Sequence, residues 1–211
     1  STGVNITDGA SATLENNNIH SNSWGVQVED EGSEAVLRKN RIYDSQRRGV
    51  VIMNKATVTL EDNEIHSNDE SGVHVQGEGT EAVMRKNHIY DGKTCGVVIK
   101  DKARATLEDN EIHSNCLAGV YVEGEGTEVA MVKNRIYDGK DCGVVTKDKG
   151  KATLEDNEIH SNAKAGLCVR GEGTVVVVRK NRIHDSKEAG VRITDKGRAT
   201  LEDNEIHSNC L

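Results

Sequence analysis

The chain has 211 residues, a formal net charge of −8, one tryptophan, no phenylalanine and no proline. An acidic balance of this size argues against nucleic acid as the main partner, and no apolar run is long enough to span a membrane. A hydrophobic content of 35% is thin for a globule and suits only an architecture whose interior is narrow.

From the amino end onward, one unit recurs. Asn17, Asn40, Asn63, Asn87, Asn110, Asn134, Asn157, Asn181 and Asn204 each open an Asn-x-Ile element, 23 or 24 residues apart. A glycine follows each of the first eight, from Gly25 to Gly190, eight or nine residues later. Within a unit the apolar residues alternate, as in Ala105-Thr106-Leu107 and Val120-Tyr121-Val122. Alternation over short runs predicts strands, and no unit carries a helical stripe. Three short strands per unit predict a solenoid. The fold class is all-β: a right-handed single-stranded parallel β-helix of about nine coils, one domain over residues 1–211, roughly 43 Å long at a strand spacing of about 4.8 Å. Val97, Ile99, Ala105, Leu107 and Ile112 are expected to face inward. Asn is expected at a tight corner, in the left-handed backbone it tolerates, with its amide stacked on its neighbours. Glycine is expected to serve the turn before the first strand.

A second period of about 47 residues overlies the first. Thr-Leu-Glu-Asp-Asn-Glu-Ile-His-Ser-Asn recurs unchanged from Thr59, Thr106, Thr153 and Thr200, and basic coils such as Arg85-Lys86-Asn87-His88 lie between. The opposite loop alternates through Lys55, Glu78, Lys102, Glu125, Lys149, Glu172 and Lys196. Opposite charges on adjacent strands attract by about 0.2–1 kcal/mol, and alternation opposes a one-coil slip. Structure alone accounts for the pattern.

Leu107-Glu-Asp-Asn-Glu-Ile-His-Ser-Asn, Ala118-Gly-Val-Tyr-Val and Leu37-Arg-Lys-Asn-Arg-Ile-Tyr-Asp resemble the β-helix repeats of F-box ubiquitin-ligase substrate receptors. These are the CASH repeats (carbohydrate-binding and sugar-hydrolase). The resemblance covers the whole chain and implies a parallel β-helix that binds protein or glycan.

Residue patterns for chemistry are sparse. Asp44, Asp91, Asp138 and Asp185 form a column on every second coil, about 9.6 Å apart. They recur as structural residues would, and the Asp-Asp, Gly-His-Gly and Arg-Ile-Lys marks of polygalacturonase-type β-helices are absent. No catalytic residue and no cofactor is therefore expected. His20, His66, His113, His160 and His207 alternate with Tyr43, Tyr90 and Tyr137 in an outward column. His184 replaces the fourth Tyr, so His160, His184 and His207 are consecutive; they are the weak candidates for a metal, and none is assigned. The candidate binding strip is the outward column of the first strand: Gln27, Val51, His74, Val98, Tyr121, Val145 and Arg192, with Cys168 between the last two. Three valines, a tyrosine and a histidine make it semi-apolar.

Cysteines sharing a column, such as Cys95 and Cys142, sit two coils apart, beyond disulfide reach. No disulfide framework is expected, and free thiols with no targeting segment lean towards the cytoplasm or nucleus. The expected function is a non-catalytic recognition scaffold for a protein or glycan. The alternatives are a self-assembling solenoid with weak head-to-tail association, and then a carbohydrate-active enzyme. Partners exclude nucleic acid and membrane.

Overall fold

The computed structural model describes residues 1–210. Strands occur three per coil over nine coils, and the equivalent strands stack into three parallel nine-stranded sheets. In the fifth coil they are Val97–Lys100, Arg104–Glu108 and Glu111–His113. Register is strict: Leu107 sits between Met84 and Met131, and Ile112 between Ile89 and Ile136. Val97, Ile99, Ala105, Leu107 and Ile112 are all buried, so the expected phase holds. The absence of proline follows: nearly every backbone N–H is in a ladder.

The Asn column forms as expected, but its backbone does not. The left-handed residue is the one before: Lys86 (φ 53°), Asp109 (φ 54°) and Lys133 (φ 55°) precede Asn87, Asn110 and Asn134. Asn is selected for its amide. Asn110 Nδ2 donates to Met84 O at 2.9 Å and to Asn134 Oδ1 at 2.9 Å, while its Oδ1 accepts from Asn87 N at 2.9 Å. One side chain therefore closes a corner and ties three coils.

Glycine before the first strand is also there for another reason. A Cβ on Gly96 would lie 2.7 Å from Ile112 Cγ2 and 2.8 Å from Gly119 O. The requirement is close approach to the Ile of the third strand. The loop charges pair as alternation implies, each lysine with the glutamate one coil before: Lys55–Glu31 at 2.7 Å, Lys102–Glu78 at 2.8 Å and Lys149–Glu125 at 2.7 Å. They are exposed and contribute little. A second Asn column, on every other coil, went unread in the sequence: Asn68, Asn115 and Asn162 are buried and accept from Ser45, Gly92 and Gly139 N at 3.0, 3.0 and 3.1 Å.

Candidate functional site

The candidate strip is one continuous column on the outer face of the first sheet. Gln27 pairs with Val51, Val51 with His74, His74 with Val98, and so on to Arg192. It is not exposed throughout. Gln27, Val51, His74 and Cys168 are buried, whereas Val98, Tyr121, Val145 and Arg192 are only half-buried. Alternation locates the outward side of a strand but not what lies over it, so the expected exposed strip shrinks to its carboxyl half.

There the next outward column matters as much. Lys147 and Arg170 stand two residues beyond Val145 and Cys168 on the same strands. With Tyr121, Asp141, Lys164 and Arg192 they surround a hollow of about 260 Å³ that crosses four coils. Lys147 Nζ lies 5.4 Å from the Tyr121 ring centre and 2.8 Å from Glu123 Oε1. The bonds to Glu123 and Tyr121 raise the Lys147 pKa, so it stays a cation. Burial raises that of Tyr121, which keeps its phenolic proton. Asp141 accepts from Cys142 N at 2.8 Å and meets Lys164 Nζ at 3.1 Å. Arg192 bonds Glu188. Arg170 Nε lies 3.7 Å from Asp195 Oδ2, so four cations converge on the hollow and each has an acidic partner, Asp141 being the one that also lines it. Sequence reasoning missed Asp141, Lys147, Lys164 and Arg170 because it followed a single outward column; the period-two rule reaches Lys147 and Arg170, whereas Asp141 and Lys164 come from turns.

The floor of the hollow corrects a second expectation. Cys142 and Cys168 are joined in a disulfide, 26 residues apart in sequence with Cα atoms 6.4 Å apart. They belong to adjacent coils but to different columns, and a diagonal pair escapes a search confined to columns. Cys95, Cys116 and Cys210 are free.

His74 is buried and its Nε2 lies 3.1 Å from Gln76 Oε1. Burial, with Arg48 and Lys100 near, pushes its pKa down to about 4. A folded value below the unfolded 6.5 means that its contribution to stability is complete above pH 6.5 and lost as pH falls towards 4. The shift corresponds to roughly 3 kcal/mol. Burial lowers His66, His113 and His160 as well, in the same direction. The urea midpoint should therefore fall steadily from pH 7 to pH 4, and His74→Gln should flatten the slope; a profile unchanged by that substitution would remove His74 from the account.

The third sheet carries the aromatic column. His160, His184 and His207 stack at 5.0 and 5.1 Å between ring centres, with planes 6° and 1° apart. Lone pairs of coplanar stacked rings lie in parallel planes and do not converge on one ion. Among the described residues no group of three metal-ligating side chains is placed to hold a metal. His184 takes over the work of the tyrosines. Tyr90 and Tyr137 each donate to a glutamate of the preceding coil at 2.6 Å, and His184 Nε2 meets Glu158 at 3.5 Å. Asp44, Asp91, Asp138 and Asp185 occupy left-handed corners, φ 51–53°, which explains their periodicity.

Three parallel sheets closed around a one-coil core, with an open and partly cationic strand face, define the class of protein. The right-handed β-helix family model matches residues 1–136 and 71–211, and the chain belongs to that family. No curated protein matches it. Among solved structures it is similar to the mannuronan C-5 epimerase AlgE6 A-module of Azotobacter vinelandii, at 20% identity and a TM-score of 0.78, over 92% of this chain and 57% of that one. The periplasmic alginate epimerase AlgG superposes with a TM-score of 0.82 at 13% identity, over 95% of this chain and 51% of that one. The pectate lyase Pel9A has a TM-score of 0.62 at 11% identity, over 94% and 70%. This chain spans little more than half the length of either epimerase, and likenesses this distant establish the fold. They do correct the expectation of a non-catalytic scaffold, and of no enzyme: solved proteins similar to it in fold include epimerases and a lyase.

Proposed function

We propose that the chain is the β-helix of a carbohydrate-active enzyme that takes an anionic, uronate-type polysaccharide across the outer face of its first sheet, over coils six to nine. The observation that carries this is the convergence of Lys147, Lys164, Arg170 and Arg192 around Tyr121 in one hollow of an acidic protein. Names of the fold neighbours, mannuronan and alginate epimerases and a pectate lyase, support the substrate class.

Epimerising or eliminating at C-5 of a uronate requires three things: neutralisation of the carboxylate, removal of the C-5 proton, and a donor. Arg170 and Arg192 hold the carboxylate in exchange for their present partners Asp195 and Glu188, since a guanidinium matches its geometry. Asp141 is the proton acceptor of the hollow, and Tyr121, its phenol protonated, is the donor. Lys147 stabilises negative charge that develops beside the ring.

Incubation with polymannuronate and polygalacturonate, followed by proton NMR for C-5 inversion and ultraviolet absorbance for unsaturated ends, tests the reading. One of these signals is expected, and Tyr121→Phe should lower it by about a hundredfold or more without altering the melting curve. Neither polymer changing at high enzyme concentration would sink the proposal.

A further inference from the structure

The second sheet presents a face that the proposed activity does not use. Its strands are five residues long, and three side chains of each point outward. The central column runs Thr13, Val36, Thr59, Val83, Thr106, Ala130, Thr153, Val177, Thr200. It is a level strip of small residues, half-exposed in its middle coils. The two flanking columns are charged walls. Over Val83, Thr106, Ala130 and Thr153 lies a shallow groove of about 490 Å³, bordered on one side by the Glu81, Arg104, Glu128 and Lys151 wall.

The walls have a particular symmetry. The last-residue wall alternates in sign from Glu15 to Glu202 except at Val132, and the first-residue wall alternates from Glu81 to Lys151, with the neutral Ser11, Thr57 and Val175 elsewhere. The charges pair with their vertical neighbours, Arg38–Glu61 at 3.1 Å and Arg85–Glu108 at 3.0 Å on one wall, Lys151–Glu128 at 3.2 Å on the other. Across five of the nine strands the signs are also opposite, and in the other four one end is uncharged. Glu34 faces Arg38, Glu81 faces Arg85, Arg104 faces Glu108, Lys151 faces Glu155 and Arg198 faces Glu202.

From this we infer that the second sheet is a dimer interface, and that its occupant is a second copy of the chain packed face to face with its axis parallel. A twofold axis along the stack brings the left wall of one copy over the right wall of the other at the same height. Glu81 then meets the partner's Arg85, Arg104 the partner's Glu108, and Lys151 the partner's Glu155, on both walls at once. No like charges meet. A one-coil slide sets Glu81 against the partner's Glu108 and Arg85 against the partner's Arg104, so register is specified. An antiparallel copy with all nine strands overlapped sets Arg104 against the partner's Arg104, and is disfavoured. The central column meets itself: valine on valine, and threonine on threonine, which can exchange hydroxyl bonds.

The size is sufficient. Five residues at about 3.3 Å by nine strands at about 4.8 Å give roughly 700 Å² per copy, about 1,400 Å² in total, within the range of specific interfaces. The wall charges are already neutralised by their vertical partners, which lowers the cost of covering them. The first sheet stays open, so docking here does not depend on what the other face binds.

Sedimentation velocity on the full chain, over a roughly hundredfold concentration range, should show a dimer. Arg85→Glu opposes the partner's Glu81 at two symmetric points and should weaken association at least tenfold. The swap Glu81→Arg with Arg85→Glu should restore it. Thr106→Lys, at a half-exposed position, should abolish the dimer with the circular dichroism spectrum unchanged. Thr106→Cys should be joined to the partner's Thr106→Cys by a short bis-maleimide, because the parallel axis passes over that column and facing sheets lie about 10 Å apart. A monomer at every concentration would overturn the inference. So would a dimer that survives both Arg85→Glu and Thr106→Lys, since contact would then lie elsewhere, such as the coil ends.

Discussion

A chain carrying Leu107→Asp is expected to be unfolded. Leu107 is fully enclosed at the centre of the fifth coil, in a column with Met84 below and Met131 above. The core is one side chain deep, so there is no second layer to absorb a fault. The substitution removes about 2–3 kcal/mol of apolar burial and puts a carboxylate where it has no partner, at a cost of several kcal/mol more. Together these approach the whole stability of a typical domain, about 5–15 kcal/mol. Position compounds the effect, because coils contact only their neighbours and a broken middle coil separates the two halves. Leu107→Met is the control. Methionine is the native residue on both adjacent coils, and the exchange should cost less than about 1.5 kcal/mol. Circular dichroism melts of the two variants decide: a wild-type melt for Leu107→Asp would mean that the inward phase is wrong.

The fold was legible because the repeat multiplies each weak signal. One Ala-Thr-Leu is ambiguous; nine equivalents in step are not. Inward phase, coil count and the Asn column all come from that repetition. What lies off the repeat was harder to read. The partner of Cys142 sits on a diagonal, and Val51 and His74 point outward yet are buried. Neither fact is visible in a column of equivalent residues. The candidate site behaves likewise. Tyr121, Val145 and Arg192 were found from their column, whereas Lys164 and Asp141 reach the hollow from turns whose path alternation does not describe. Residues that depart from the repeat line the hollow, and a period-based reading is least informative at such departures.

Asn110→Ala should lower stability by about 3 kcal/mol or more, an effect larger than a single lost hydrogen bond. Asn110 is buried and its amide serves groups on both sides. Its removal leaves Asn87 N without an acceptor and Met84 O without its side-chain donor. It also breaks the amide chain through Asn87 Nδ2 and Asn134 Oδ1, at 3.0 and 2.9 Å. Each buried polar group left unpaired costs about 1–3 kcal/mol. The corner conformation is not the cause, since the left-handed residue is Asp109, which the substitution leaves in place. That separates two explanations. If stacked amides hold the corner, Asn110→Ala should be severe and Asp109→Gly mild, because glycine accepts φ of 54° freely. If backbone conformation were decisive, Asn110→Gly would rescue what Asn110→Ala loses. Urea melts of the three variants are expected to place Asn110→Ala and Asn110→Gly together, well below Asp109→Gly, and recovery by Asn110→Gly would refute the amide ladder as the source of stability.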